Sequence, residues 1–170
     1  GSTTVTIPVS ISSVNDAPIA TPTSSTTNED QPVKGQIVAQ DPDQDLLTYS
    51  ITTTPEHGTV SLDPTTGAYT YTPNTNYNGS DSFTVLVDDG KGGTTSITVP
   101  VTINAVNDAP TATAPDVTTR QEIPVTGQVK GHDTEDGSQV SYSVPTGSTA
   151  NGGTVTIDPV TGQYTYTALS

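Results

Sequence analysis

The sequence lacks cysteine, methionine and tryptophan altogether, and its 170 residues include a single phenylalanine. Without cysteine the chain can form neither a disulfide nor a thiolate metal site. No apolar run approaches the roughly 18 residues of a membrane-spanning helix, and no secretory signal is visible. Hydrophobic residues make up only 29% of the chain, a share that borders on disorder. Any folded core must therefore be thin.

Basic residues are also scarce, with 4 lysines and arginines against 18 aspartates and glutamates and a net charge of −14. Such a surplus repels the phosphates of nucleic acid and anionic membrane surfaces, so we expect neither nucleic-acid binding nor membrane insertion. It favours cations or solubility in salt. No trio of serine, histidine and acid recurs along the chain, and we therefore expect no enzymatic activity.

A five-residue motif, Val14 to Pro18, recurs 92 residues later as Val106 to Pro110. A fixed period of this size is typical of tandem copies of one folding unit. The proline fixes its own φ and cannot donate to a ladder, so the motif is interpreted as the joint between copies. Residues 1–14 are predicted to be the last strand of a preceding repeat plus a linker, and residues 15–105 a complete repeat. Residues 106–110 are predicted to be the inter-repeat linker, and residues 107–170 a partial second repeat.

Threonine, valine, isoleucine and tyrosine alternate with a period of two between turns rich in glycine, proline, asparagine and aspartate. This pattern predicts seven short strands, A to G, in the first copy. The predicted fold is all-β, with tandem immunoglobulin- or cadherin-like β-sandwiches arranged end to end. Strand A is predicted over 19–25 and strand B over 33–39. In the second copy Val140, Tyr142 and Val144 predict strand C.

Nothing in the second copy corresponds to residues 74–105, so its strands F and G are missing and the second sandwich is incomplete. Half a sandwich exposes an edge and a core face. Four explanations stay open: a truncation, a remainder supplied as another chain, an inserted domain, or strand exchange with residues 5–11 of a neighbouring molecule. We otherwise expect a monomer.

The acidic residues gather in loops at the two ends of the predicted sandwich. Successive antiparallel strands alternate in direction, so the A–B and C–D loops and the start of strand F share one end, while the B–C and F–G loops share the other. The linker of each joint lies between these ends. The predicted ligands at the first joint are Asn15, Asp16, Asp41, Asp43, Asp45, Asp88 and Asp89, and those at the second are Glu29, Asp30, Asp81, Asn107, Asp108, Asp133, Glu135 and Asp136.

Carboxylates brought this close raise one another's pKa unless a cation neutralises them. Calcium accepts six to eight oxygen ligands in flexible geometry, and no histidine or cysteine cluster favours zinc. The predicted metal is therefore Ca²⁺. Taken alone, the Asp41, Asp43 and Asp45 pattern is equally compatible with an exposed turn, because aspartate is a good turn residue. Asp63 and Asp158 are interpreted as turn residues rather than ligands.

Seven motifs together resemble the bacterial cadherin-like tandem repeats of giant surface adhesins, which are exported by type I secretion and grouped with the repeats-in-toxin adhesins. The resemblance covers nearly the whole chain and depends on the order of the motifs. They are the joint motif at both positions, Asn28 to Pro32, Asp41 to Asp45, His57 to Val60, Gly67 to Pro73, Tyr77 to Phe83 and Asp88 to Gly93.

The resemblance implies an elongated array outside the bacterial cell, calcium between domains, and a role in attachment and biofilm. It implies that Glu29, Asn107 with Asp108, and Asp133 with Glu135 occupy ligand positions. The second copy departs from the pattern, since Arg120, Gln121 and Glu122 replace the Asn28, Glu29 and Asp30 of the first. We therefore expect the joint after the second copy to bind calcium poorly or not at all.

The function that these observations favour is a calcium-rigidified extender of a bacterial cell-surface adhesin, which projects a ligand-binding region. Its partners would be adjacent repeats of the same chain and, through other domains, glycans or proteins of a host cell or biofilm. Two alternatives stay open. One is a calcium-dependent glycan- or peptide-binding module, and the other is an accessory β-sandwich of a secreted hydrolase.

Overall fold

A computed structural model describes residues 1–135, 137, 139–145 and 152–169. The chain divides into two compact units, Gly1–Val106 and Asn107–Ser170. The described residues form strands and turns without any helix, so none of them forms a helix able to cross a membrane. The all-β prediction is confirmed.

The first unit is a sandwich of nine strands. A four-stranded sheet has the order β2-β9-β8-β5, a three-stranded sheet has the order β3-β7-β6, and β1 pairs with β4. All of these pairings are antiparallel except the one between β2 and β9, which is parallel. The strands are β1 Ile19–Thr21, β2 Ser25–Asn28, β3 Val33–Gln36, β4 Val38–Gln40, β5 Thr48–Thr53, β6 Gly58–Leu62, β7 Ala68–Pro73, β8 Gly79–Asp88 and β9 Thr94–Asn104.

The core of this unit is built from alternate residues of the long hairpin β8–β9 and from two tyrosines of β7. Phe83 and Tyr71 are fully buried. Tyr69 meets the Phe83 ring edge-on, with ring centroids 5.1 Å apart and planes at 70°, a favourable aromatic geometry. Tyrosines and β-branched residues thus fill the space between the sheets in a chain without tryptophan.

Strands A and B are each divided in two, which the sequence did not predict. The first breaks between β1 and β2 around Pro22, which has no amide hydrogen to continue a ladder. The second breaks at Ile37, whose side chain is 1% exposed and whose amide donates to the Gly67 carbonyl oxygen at 2.9 Å. The division lets one continuous segment contribute to more than one sheet.

Residues 1–18 contain no strand. The apolar side chains of Val5, Ile7, Val9 and Ile11 are all at least 77% exposed. Their alternation matches that of β9, whose corresponding side chains are buried. The assignment of residues 1–14 to a preceding repeat stays a prediction.

The second unit repeats part of the first. A three-stranded sheet has the order β11-β14-β13, and β10 pairs with β12. These correspond to the three-stranded sheet and the two-stranded sheet of the first unit. The strands are β10 Thr111–Thr113, β11 Val125–Gln128, β12 Lys130–His132, β13 Thr154–Ile157 and β14 Gln163–Thr167.

The predicted strand C of the second copy is wrong, because residues 139–145 form no strand. In the first unit the equivalent strand β5 pairs only with β8, and no strand among the described residues of the second unit provides that ladder. The position is nevertheless kept, since the Tyr142 amide donates to the Pro159 carbonyl oxygen at 3.0 Å. Tyr164 and Tyr166 are only half-buried in this sheet.

Candidate functional site

The first joint is fastened to two loops of the first unit by its own polar residues. The Asp16 amide donates to Asp43 Oδ2 at 2.8 Å, which ties the linker to the loop between β4 and β5. Asn15 Nδ2 donates to Asp89 Oδ2 at 2.8 Å, which ties it to the loop between β8 and β9. The sequence predicted that these residues meet, and the structure brings these four together in two pairs.

The loop between β4 and β5 wraps around the carboxylate of Asp41. Its Oδ1 accepts hydrogen bonds from the amides of Asp43 at 2.9 Å and Asp45 at 3.2 Å. Gln44 adopts a left-handed φ of 66° to close the turn. The other oxygen, Asp41 Oδ2, is buried and accepts no hydrogen bond. A buried acceptor without a partner is costly, and a cation would remove that cost.

In the loop between β8 and β9, the Asp89 carboxylate accepts hydrogen bonds from backbone amides and from the linker. The residue is 3% exposed, and its Oδ1 accepts from the amides of Lys91 at 2.7 Å and Gly93 at 3.0 Å. The Asn15 side chain, followed by these amides, lowers the pKa of Asp89 despite partial desolvation. Its neighbour Asp88 accepts the Gly90 amide at 2.6 Å. Asp89 is thus held ionised beside the linker, while Asp88 closes the turn.

The second unit repeats the same local arrangement at its own linker. The Asp108 amide donates to Glu135 Oε2 at 3.1 Å, as Asp16 does to Asp43. The Glu135 amide donates to Asp133 Oδ1 at 3.0 Å, as Asp43 does to Asp41. Asp133 is 6% exposed.

Two further predicted ligands, Asn107 and Asp136, belong to the second linker and the loop that follows it. Asn107 Nδ2 donates to the carbonyl oxygen of Asp108 at 2.9 Å, so its side chain braces the linker backbone. Asp136 lies outside the described residues. In both copies a linker aspartate amide therefore donates to an acidic side chain of the following loop, and that loop residue's amide donates to an aspartate two positions earlier. We call this arrangement the linker clasp.

At the far end of the first unit, the acidic residue Glu29 is buried, with 3% of its surface exposed. Its Oε1 accepts the amide of Val106, the first residue of the second joint. Its Oε2 is buried without a hydrogen-bond partner. Asp30, beside it, accepts the Asn76 amide at 3.0 Å. A buried carboxylate with one oxygen lacking a hydrogen-bond partner thus lies against the linker, where a cation could satisfy it.

Asp81, a predicted ligand, is engaged in hydrogen bonds within the first unit. Its two oxygens accept four hydrogen bonds, from the amides of Glu56 at 3.1 Å, His57 at 2.9 Å and Ser82 at 2.8 Å and from Tyr71 Oη at 2.8 Å. Desolvation acts to raise its pKa, but these bonds outweigh it and the net pKa is lowered. Burial, followed by the bond to Asp81, raises the pKa of Tyr71. Asp81 therefore anchors the turn before β6.

The corresponding turn of the second unit carries no equivalent of Glu29. Asp30 and Glu122 share a φ of 58°. The amides of Gln31 and Ile123 each close the turn at 3.3 Å. Because the two turns match at these positions, Gln121 occupies the place of Glu29, as the sequence comparison predicted. A neutral, exposed amide replaces the buried carboxylate there.

The two turn aspartates behave as the sequence interpretation expected. Asp63 Oδ1 accepts two amides, those of Thr65 at 2.8 Å and Thr66 at 2.9 Å. Asp158 Oδ1 accepts the equivalent pair in the second unit at 2.9 Å and 2.8 Å. These backbone bonds lower the pKa of both carboxyl groups. Both are turn residues, which confirms the interpretation.

Sequence reasoning missed three contacts of the first unit. These are the Tyr71–Asp81 hydrogen bond, the His57–Tyr77 stack with ring centroids 4.0 Å apart and planes at 9°, and an ion pair in which Lys91 Nζ lies 4.0 Å from Asp45 Oδ1. The alternation of β7 gives the direction of Tyr71 but not its partner. The stack and the ion pair leave no sequence signal, because loop residues bring them together.

The arrangement offers oxygen ligands from carboxylates, amides and backbone carbonyls. Such a set suits a hard divalent cation. Within the described part of the chain, no three histidine, cysteine, aspartate or glutamate side chains already converge in a metal-binding group. The buried, unpaired oxygens of Asp41 and Glu29 nevertheless fit a cation chemically.

Two β-sandwich units of like topology, each with an acidic loop clasped to its linker, define a tandem repeat of the immunoglobulin- or cadherin-like class. A family model described as "Bacterial Ig domain" matches residues 15–102 and again 107–170. The chain belongs to the bacterial Ig domain family and contains two copies of the domain.

Cadherins are similar to this chain in both sequence and fold. Human Protocadherin Fat 1 is 32% identical over an alignment 136 residues long, which covers 72% of this chain and 3% of that protein. The chain thus spans about 3% of the length of that curated relative. Drosophila N-cadherin EC1-4 matches 88% of this chain and 40% of its own, with 17% identity and a TM-score of 0.59. Protocadherin Gamma B7 extracellular cadherin domains 1-4 match 91% and 41%, with 16% identity and a TM-score of 0.52.

Proposed function

We propose that this chain is a non-catalytic extender segment of a bacterial cell-surface adhesin, in which calcium bound at the joints rigidifies successive repeats. The observation that carries the proposal is the pair of buried carboxylate oxygens without partners, Asp41 Oδ2 and Glu29 Oε2, one at each end of the first unit. Each belongs to a residue that contacts a linker or the loop clasped to it. A cation at each end would satisfy them.

The linker clasps support the same proposal. Asp16 and Asp108 each donate an amide to the acidic loop that follows. This leaves their own carboxylates available as ligands. Asn15 and Asn107 supply further oxygens. Calcium accepts such mixed sets at 2.3–2.6 Å, whereas magnesium demands a strict octahedron and keeps its waters. Extracellular modules of this type bind calcium at about 10⁻⁴ to 10⁻³ M.

The order of the motifs supports assigning the parent protein to the repeats-in-toxin adhesins, exported by type I secretion and active in biofilm formation. The net charge of −14 suits an exposed surface protein that must stay soluble in salt. Through other domains, the parent would reach glycans or proteins on a host cell or in the biofilm. This segment would serve as spacer.

Calcium should stabilise the first unit against unfolding, because it binds the folded joint and not the unfolded chain. With a dissociation constant of about 10⁻⁴ M and about 10 mM calcium, the expected gain is about 2.7 kcal/mol. The measurement is thermal unfolding of the full chain in calcium, in magnesium and in excess chelator. A transition that is the same in all three would refute the proposal.

Two substitutions test the named ligands. Asp41→Asn removes the charge at the first joint, and Glu29→Gln installs at the second joint the side chain that Gln121 supplies in the second copy. Each should reduce the calcium-dependent shift. The matched control is Asp63→Asn, the same chemical change in a turn that serves no linker, which should leave the shift unchanged.

A further inference from the structure

Lys91 places a positive charge within the acidic surroundings of the first joint. It is one of only 4 basic residues in a chain with 18 acidic ones. Its Nζ lies 4.0 Å from Asp45 Oδ1. Its backbone amide donates to Asp89 Oδ1 at 2.7 Å, so the residue is anchored by one predicted ligand while its side chain meets another.

The same lysine lines an open cavity of about 390 Å³ together with Ser13, Asn15, Asp43 and Asp45. Three of these residues carry the oxygen ligands predicted for the first joint. The Lys91 side chain is 62% exposed, so it is free to move away from Asp45. A cation entering this cavity would therefore meet both the carboxylates and an ammonium group.

We propose that Lys91 is a built-in counter-cation, which partly neutralises the first joint when calcium is absent and competes with calcium for it. The inference rests on the proposed function, because it needs calcium at this joint. Lys91 would then set the calcium concentration at which the joint loads. It would also keep the empty joint from being disrupted by carboxylate repulsion.

The size of the effect follows from Coulomb's law. Repulsion between a divalent ion and an ammonium group about 6–10 Å apart in water weakens binding by about four- to tenfold. Counter-ions screen this repulsion, with a Debye length of about 10 Å at 0.1 M salt and about 3 Å at 1 M. Removing the charge should therefore tighten calcium binding in dilute buffer and have little effect in concentrated salt.

The second linker provides an internal comparison. It has the same clasp, between Asp108 and Glu135, and the described residues of the second unit include no counterpart of Lys91. A change at Lys91 should alter calcium binding at the first linker and leave the second linker as it was.

The experiment is a calcium titration of the ¹⁵N-labelled full chain by NMR, for wild type, Lys91→Gln, Lys91→Arg and Lys34→Gln. The amides of Asp16 and Gly93 report on the first linker, and those of Asp108 and Glu135 on the second. Lys34 lies exposed on β3, so Lys34→Gln removes the same charge without touching either linker. Lys91→Arg keeps the charge in place.

In low-salt buffer we expect Lys91→Gln to bind calcium about four- to tenfold more tightly at the first linker only. Lys91→Arg and Lys34→Gln should stay near wild type, and the gain should shrink at about 1 M potassium chloride. In excess chelator Lys91→Gln should melt at a lower temperature than wild type, because its carboxylates lose their counter-cation. In saturating calcium this deficit should narrow or reverse.

Two results would overturn the inference in distinguishable ways. If calcium shifts the linker amides of wild type but Lys91→Gln behaves like Lys34→Gln or binds more weakly, Lys91 is not a competitor and the proposed function stands. If calcium shifts none of these amides in wild type, the inference and the proposed function fail together.

Discussion

Asp81, one of the predicted metal ligands, is engaged in hydrogen bonds through both of its carboxylate oxygens. Sequence position suggested a metal ligand, yet its carboxylate receives four hydrogen bonds within the first unit, one of them from the buried Tyr71. A carboxylate with so many donors is stabilised in its charged form without a metal. The donors around Asp81 therefore stabilise its charge within the first unit itself.

Tyr71→Phe should destabilise the first unit by about 1.5–3 kcal/mol, the typical value of a hydrogen bond to a charged group. The hydroxyl helps to lower the pKa of Asp81, so its contribution is present above the unfolded-state pKa of about 3.9. The loss should be full at neutral pH and should fade as the pH falls through the folded-state pKa. Urea unfolding at several pH values measures it.

The control for this substitution is Tyr69→Phe, which removes a hydroxyl bonded to the neutral Ser25 at 2.7 Å. A neutral hydrogen bond contributes about 0.5–1.5 kcal/mol, and this variant should show no matching dependence on pH. Equal losses in the two variants at all pH values would contradict the role assigned to Asp81.

Among the elements, β7 and its counterpart β14 organise both units through pairs of glycine and tyrosine across neighbouring strands. Gly35 lies opposite Tyr69 in register, and Gly127 lies opposite Tyr164. A Cβ at either glycine would overlap the tyrosine ring and hydroxyl. The ring thus covers the glycine, which leaves room for tyrosine in a thin core.

Gly35→Ala should destabilise the first unit by about 1–3 kcal/mol or more, because Tyr69 is buried and cannot move aside without straining the core. Gly127→Ala should cost the second unit less, since Tyr164 is only half-buried and can yield toward solvent. Hydrogen exchange of the β7 and β14 amides measures each unit separately. Lys34→Ala, next to Gly35 on the exposed face, is the control, and an equal effect from it would exclude the overlap as the cause.

How far sequence predicted these elements depended on where each strand finds its partner. The seven strands predicted for the first copy are all present, because local alternation and tight turns define them, although A and B are each divided in two. Strand A broke at Pro22 and strand B at Ile37, where pairing with another sheet decides the boundary. The prediction of strand C in the second copy was wrong, because no described strand of that unit pairs with residues 139–145. Local alternation cannot reveal whether such a partner exists.

The candidate site was predictable to a similar degree. The sequence predicted that the linkers meet acidic loops, which the hydrogen bonds show, and it identified Gln121 as the counterpart of Glu29. It could not show that Asp81 is satisfied by Tyr71, nor that Lys91 approaches Asp45, because side chains from separate segments make these contacts.

For the whole molecule, the proposed function predicts a dependence of shape on calcium. Small-angle scattering in 5–10 mM calcium, well above the expected affinity, should give a long and fixed maximum dimension, whereas excess chelator should broaden the distribution. The reason is that a cation shared by linker and loops would restrict the joint. Magnesium at equal concentration is the control.

A scattering profile that does not change on chelation would contradict the extender proposal. The acids would then serve as surface charge. The accessory-domain and glycan-binding alternatives would gain weight.

The parallel pairing of β2 with β9 has a mechanical consequence. Both strands run in the same direction, with Ser25 beside Val101 and Asn28 beside Asn104. A pull that drags β2 back toward the first linker and β9 on toward the second slides the two strands along each other. The hydrogen bonds between the two strands are then loaded in shear and must break together, rather than one after another. Beyond the pairing of β1 with β4, tension along the chain would thus be resisted in shear by a four-residue patch.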